Sequence, residues 1–243
     1  LPADWIVPDW PAPPGVRAFV TTRAGGVSTG EYASMNLGAS SGDHADHVEQ
    51  NRSIVHALLP GAPTYLAQVH GTAVADLDRA AGAALRADAA VSALPGRVGV
   101  VLTADCMPLF LAARDGKRVA VVHAGWRGLA AGVVESTLAA MRVPPGDVVA
   151  WMGPAIGPER FEVGPEVRQA FVGVDPQAGR AFVPGAPGKF MADLYTLARQ
   201  RLERAGVTNV HGGGFCTLAD SRRFFSYRRA KASGRMGAFI WIE

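Results

Sequence analysis

Three segments of this sequence put a chemically capable group where an apolar run stops. His70 closes AQVH and is followed by Gly71; Asp105 and Cys106 interrupt VLTADCMPLFLAA; His123 closes VAVVH just before AGWRG. Groups at the ends of strand-like runs are the ones a rigid scaffold can aim. One cysteine and two histidines form a candidate zinc set with a fourth position open to water or substrate. A thiolate with neutral imidazoles suits zinc better than magnesium or calcium. The same residues allow a second chemistry, with Cys106 as nucleophile, His123 as its base, and Asp105 or another carboxylate as the orienting group. A third reading gives them no chemistry and makes Cys106 a small buried hydrophobe. Spacing does not choose among the three: 35 residues separate His70 from Cys106 and 16 separate Cys106 from His123, and neither interval is a short zinc motif.

Arg23 in TTRAGG and Arg127 in HAGWRG sit among small residues and form a candidate anion clamp, since guanidinium suits phosphate or carboxylate. The sequence has neither GxxxxGK[ST] nor GxGxxG after a strand, and HGGGF at 211–215 lacks the GxSxG elbow of a serine hydrolase. Trp126, Trp151, Phe161, Phe224, Phe225 and Tyr227 read mainly as core. Phe224 and Phe225 are adjacent, so one can face the core while Phe225 offers a stacking face for a base or a phenol. His44, His47 and His56 read as solvated.

The elements that must position these groups follow from periodicity. Val48, Arg52, Val55 and Leu59 recur at helical spacing from Asp43, with Gly61 and Pro63 ending the run. Residues 64–70 read as a strand broken by Gly71 and resumed over 74–77, whereas the Ala-rich stretch 79–90 has no clear pattern. Strands are expected over 98–103, 107–113 and 118–123, the last two joined as a hairpin through Asp115-Gly116. Helices are expected over 129–141 and 192–205, and further strands over 148–152, 207–211 and 237–242. GPAIGP at 153–158 is irregular.

Composition sets the frame. Of 243 residues, 49% are hydrophobic and 19% charged, which suits one compact domain over residues 1–243 and excludes disorder. The formal charge is only +3, and the single basic run from Arg222 to Lys231 is too short for a nucleic-acid stripe. Cys106 and Cys216 read as free thiols. Without a signal peptide or an 18-residue apolar window, the expectation is a cytoplasmic protein that touches no membrane. No heptad demands a partner, so a monomer is expected.

TTRAGGVS, SMNLG, Asn51-Arg52, QVHG, TADCMP, HAGWRGLAAGV, GPAIGP with FEVG, DLY, FFSYRR and GRMG occur in order along the chain. Together they resemble the bacterial YfiH-like family, long called multicopper polyphenol oxidase or laccase-like and now described as purine nucleoside phosphorylases. The resemblance implies an α+β fold, a layered α/β/β/α sandwich with mixed sheets grouped with cysteine hydrolases. It implies zinc on His70, Cys106 and His123, and places the family arginines on Arg23 and Arg127. The implied chemistry is phosphorolysis of adenosine, inosine, guanosine and methylthioadenosine to the base and ribose 1-phosphate, with adenosine deamination alongside; Asp105 is the candidate proton shuttle. Editing of peptidoglycan precursors by an amidohydrolase is the alternative. Copper oxidation is disfavoured, since six histidines hardly supply several copper sites, and Glu159 stands where many members carry a cysteine. A non-catalytic zinc module would need a fourth protein ligand, for which Cys216 is the candidate.

Overall fold

The computed structural model describes residues 1–79 and 85–243. In chain order, β1 (Val16–Val20) leads to α1 (Ala45–His56), β2 (Thr64–Tyr65), β3 (Val74–Asp76), β4 (Ala89–Ser92) and β5 (Gly99–Thr103). The hairpin β6 (Met107–Ala113) and β7 (Val119–Ala124) follows, then α2 (Trp126–Ala131), α3 (Val133–Met141) and β8 (Val148–Met152). The rest is β9 (Glu162–Val163), α4 (Pro165–Val172), β10 (Phe182–Pro184), β11 (Phe190–Ala192), α5 (Leu194–Arg204), β12 (Asn209–Gly212) and β13 (Met236–Ile242).

Two mixed sheets carry the fold, ordered β1-β13-β5-β2 and β12-β8-β6-β7-β4-β3. Their side chains alternate with the period of the strand. In β13, Ala238, Ile240 and Ile242 face the space between the sheets, where they meet Phe110, Ala112 and Val121 of the β6–β7 hairpin. Phe239 and Trp241 face the other way, onto Trp5, Phe19, Leu37 and Val55 of α1. Leu109 and Leu111 of β6 point away from the first sheet, onto Leu138 of α3 and Leu202 of α5. The layers are therefore helix, four-stranded sheet, six-stranded sheet, helices: the mixed α/β/β/α sandwich that the resemblance implied. The small sheet β10-β11-β9 has strands of two or three residues, too short for periodicity to reveal.

Three expectations are corrected. The strand over 64–70 stops at Tyr65, because beyond it the Gln68 side chain takes over the pairing with β5, bonding both the N–H and the C=O of Leu102 at 2.7 and 2.9 Å. The helix over 129–141 is two helices starting earlier, at Trp126, and broken at Gly132, whose φ of 102° no helix admits. Ala192 belongs to β11 rather than to α5, which begins after Asp193; that carboxylate caps it by accepting the Thr196 N–H at 3.0 Å. Residues 80–84 of the Ala-rich stretch lie outside the described residues; toward its end Asp88 leads into β4.

Candidate metal centre

His70, Cys106 and His123 come together, their ligand atoms all within 4.8 Å of one another. Each arrives from a different element. His123 lies near the end of β7, and Cys106 lies in the turn between β5 and β6, brought round by Asp105 at a φ of 86°. His70 sits in the loop after β2, itself at a φ of 61°. Cys106 Sγ is 3.7 Å from His70 Nε2, and the two imidazole rings meet edge to face at 4.7 Å between centroids. Gly125 is required beneath them: a Cβ there would lie 2.9 Å from both Cys106 Sγ and His70 Cδ2.

The organiser of this cluster is Asp88, which sequence reasoning passed over. It is fully buried, and its carboxylate accepts the backbone N–H groups of His70 and Gly71 at 2.8 and 2.7 Å, that of Val69 at 3.2 Å, and His123 Nδ1 at 2.8 Å. The loop that presents His70 is thus wound around one carboxylate, which explains why it is not a strand. Pairing Nδ1 with a carboxylate leaves His123 Nε2 free as a ligand atom, the usual outer-shell device of metal-binding histidines. A lone aspartate in an alanine-rich stretch is the one signal the sequence offers for it.

Electrostatics agree with the geometry. Burial alone would push the Cys106 thiol up, but the charge and hydrogen bonds of His123, then of His70, outweigh it and hold it down at about 6. Burial alone would lower His123, yet the Cys106 thiolate and Asp88 lift it to about 9. Asp88 is likewise held below the usual carboxylate range: burial opposes this, and the bonds from His123, Gly71 and Val69 prevail. Without metal the pair is a thiolate and an imidazolium; once His123 releases that proton the cluster is a thiolate with two imidazoles, a donor set that fits a borderline-soft divalent metal. Among the described residues no fourth histidine, cysteine or carboxylate joins it, and no second such cluster occurs.

The cluster opens into a cavity of about 850 Å³. Arg127 lines it, with its guanidinium 4.4 Å from the Trp126 ring centroid, and so do Arg52, Arg228 and Arg235. Arg23 does not: its Nε and Nη1 each donate to a backbone carbonyl at 2.9 Å, of Ala33 and Ser221, and it stands over Phe225. The expected clamp of Arg23 with Arg127 is therefore not assembled. Phe225 is 1% exposed and offers no face to a ligand, whereas Tyr227, at 51%, lines the cavity. Asp105 lines it too, but its carboxylate oxygens accept from the Thr217 hydroxyl at 2.6 Å and the Arg228 N–H at 2.7 Å. Cys216 stays outside the cluster, its sulfur accepting the N–H groups of Gly157 and Ala219.

Fold and site thus define a four-layer mixed-sheet protein with one open thiolate–imidazole centre at its strand ends. The model of the multi-copper polyphenol oxidoreductase laccase family matches residues 17–243. A Pseudomonas aeruginosa protein named a purine nucleoside phosphorylase is 53% identical over 240 residues, 98% of each chain. The purine nucleoside phosphorylase YfiH of Escherichia coli is 52% identical over 239 residues, again 98% of each. A crystal structure of a Neisseria meningitidis protein superposes with a TM-score of 0.96 at 47% identity, covering 99% of both chains, and that of YlmD from Geobacillus stearothermophilus with 0.89 at 30%, covering 96% of this chain and 94% of the other. The chain belongs to the YfiH-like, laccase-domain family.

Proposed function

We propose that this chain is a zinc-dependent purine nucleoside phosphorylase, with residues 1–243 acting as one catalytic domain. The observation that carries the reading is the three-donor cluster opening into a cavity lined by four arginines, in a chain about half identical to proteins of that name. His70, Cys106 and His123 would hold zinc, which when bound supplies Lewis acidity toward an oxygen of phosphate or sugar.

The chain's own residues do the rest. Arg127, which makes no ion pair among the described residues, orients phosphate for attack at C1′. Trp126 and Tyr227 give the purine apolar surface. The C1′–N bond breaks as the C1′–O bond forms, and the proton of hydrogen phosphate passes to the leaving nitrogen, giving the neutral base and ribose 1-phosphate. Asp105 is a positioning residue in this reading: by holding Thr217 and the Arg228 backbone it fixes the cavity wall. A copper polyphenol oxidase needs several coupled copper sites, which a single cluster among the described residues does not support.

One observation favours a second reading. Cys106, His123 and Asp88 stand as nucleophile, base and orienting carboxylate, the arrangement of a thiol amidohydrolase. The test is to incubate zinc-loaded protein with adenosine, with and without phosphate, using Cys106→Ala as the blank. Adenine formed only with phosphate and only with Cys106 intact is the expected result. Inosine formed without phosphate would establish deamination instead. No product from either would move the assignment to amide substrates such as peptidoglycan precursors.

A further inference from the structure

Four arginines reach one cavity, and phosphorolysis of a neutral nucleoside calls on one of them. Arg52, Arg127, Arg228 and Arg235 are all free of ion pairs among the described residues. The one carboxylate in the described lining, Asp105, is already committed to Thr217 and Arg228.

Arg52 and Arg235 pack against a single loop, residues 36–41. Arg52 donates through Nε and Nη2 to the Leu37 carbonyl at 3.0 and 2.9 Å. Arg235 donates its backbone N–H to Asn36 Oδ1 at 2.9 Å and its Nη1 to the carbonyls of Ser233 and Gly234. Its stem covers Gly38 so closely that a Cβ there would lie 2.7 Å from Arg235 Cγ. These bonds fix both guanidinium groups, yet leave Arg52 Nη1 and Arg235 Nε and Nη2 without an acceptor among the described residues. The loop then adds two hydroxyls, of exposed Ser40 and of Ser41, whose oxygen accepts from Asn36 Nδ2 at 2.8 Å and whose hydrogen remains to donate. Asp43 nearby is engaged by Ser28, Asn36 and the His44 N–H.

Arg235 has only the more distant Cys106 and Asp105 as counter-charges, and Arg52 lies on the Tyr65 ring at 3.8 Å. Neither makes an ion pair among the described residues, so these half-buried cations favour a ligand that brings further negative charge. Arg127 comes from α2 beside the six-stranded sheet; Arg52 and Arg235 come from α1 and from the approach to β13, in the opposite layers. One phosphate at Arg127 leaves the second pair unanswered. We propose that Arg52 and Arg235, with Ser40 and Ser41, form a second anion subsite, and that the nucleoside processed here carries its own phosphoryl group, as a nucleoside 5′-monophosphate does. Fixed guanidinium forks and flanking hydroxyls are what a phosphoryl group recognises. This rests on the nucleoside reading above. Phosphorolysis would then break C1′–N and form C1′–O with inorganic phosphate, whose proton passes to the leaving nitrogen, giving the neutral base and ribose 1,5-bisphosphate.

The test compares inosine with inosine 5′-monophosphate on the zinc-loaded full chain, by calorimetry without phosphate and then by phosphorolysis. The nucleotide is expected to bind more tightly by roughly tenfold or more, the scale of one added charge-assisted contact. Arg235→Gln should collapse the nucleotide-to-nucleoside ratio of kcat/KM. Ser40→Asp, on an exposed position that cannot unfold the core, should do the same by repulsion. Equal or weaker nucleotide binding overturns the proposal, as does a ratio that neither variant moves. If saturating inorganic phosphate erases the nucleotide's advantage in binding, the pair is a free-phosphate site and the proposal also falls. Turnover of inosine in any of these outcomes leaves the phosphorylase reading standing, whereas neither compound binding nor reacting overturns both.

Discussion

Asp88 and His123 meet twice. The His123 backbone N–H donates to the Asp88 carbonyl at 2.7 Å, and its ring Nδ1 meets the Asp88 carboxylate at 2.8 Å. The first bond sets β7 beside the segment entering β4; the second fixes the imidazole's orientation and tautomer. Because the same carboxylate also gathers the N–H groups of residues 69–71, one buried charge aligns two of the three candidate ligands.

Replacing Asp88 with Asn should therefore weaken metal binding by about 10- to 100-fold, the usual effect of losing an outer-shell carboxylate. Competition with a chromogenic chelator reads this directly. Unchanged affinity would show that His123 needs no such partner.

Gly125→Ala should empty the site without unfolding the protein. The added methyl meets Cys106 Sγ and His70 Cδ2 at 2.9 Å, so the ligands rather than the core must give way. Gly146→Ala, where nothing lies within 4 Å, is the control. Metal content per chain, measured beside the melting temperature, separates the two effects.

The metal-free protein should show a thiolate at unusually low pH. Cys106, held at about 6, contributes stability that is complete above the ordinary thiol value and lost as pH falls through about 6. His123, lifted to about 9, contributes stability that is complete below the ordinary imidazole value and lost as pH rises through about 9. The pair is thus most stabilising between about 6 and about 9, and the two midpoints belong to it jointly. Thiolate absorbance should report the lower midpoint, and denaturant unfolding against Cys106→Ala should show the window; a midpoint near that of a free cysteine would refute the ion pair.

Arg127 and Arg23 should separate cleanly. Arg127→Gln is expected to raise the KM for phosphate by about tenfold, the loss of a single charge-assisted contact, with little change in melting temperature. Arg23→Gln should instead lower stability by about 1 kcal/mol, since it removes the donor to the part-buried Ala33 carbonyl, while water replaces the exposed bond to Ser221. Phosphate kinetics and unfolding curves on the same two variants decide it.

The core was legible because burial repeats along the chain. The runs ending at Thr103, Ala113 and His123 are strands because their side chains are apolar on both faces, and both faces are covered. That pattern also exposed His70, Cys106 and His123 as polar residues at strand ends, and the motif resemblance joined them. What periodicity could not reach was every interaction made by a single side chain across sequence distance. Asp88 acts on residues 17 to 35 positions away and sits in a stretch with no pattern of its own. Arg23 and Arg127 lie in equally glycine-rich surroundings and read alike, yet one is consumed by carbonyls of the fold and the other faces the cavity. Phe224 and Phe225 are both buried because the loop carrying them is not a strand, so adjacency did not set them on opposite faces. Patterns of residue type decide what must leave water; where a lone charge or hydroxyl finds its partner depends on which distant segments the packing brings within hydrogen-bond reach.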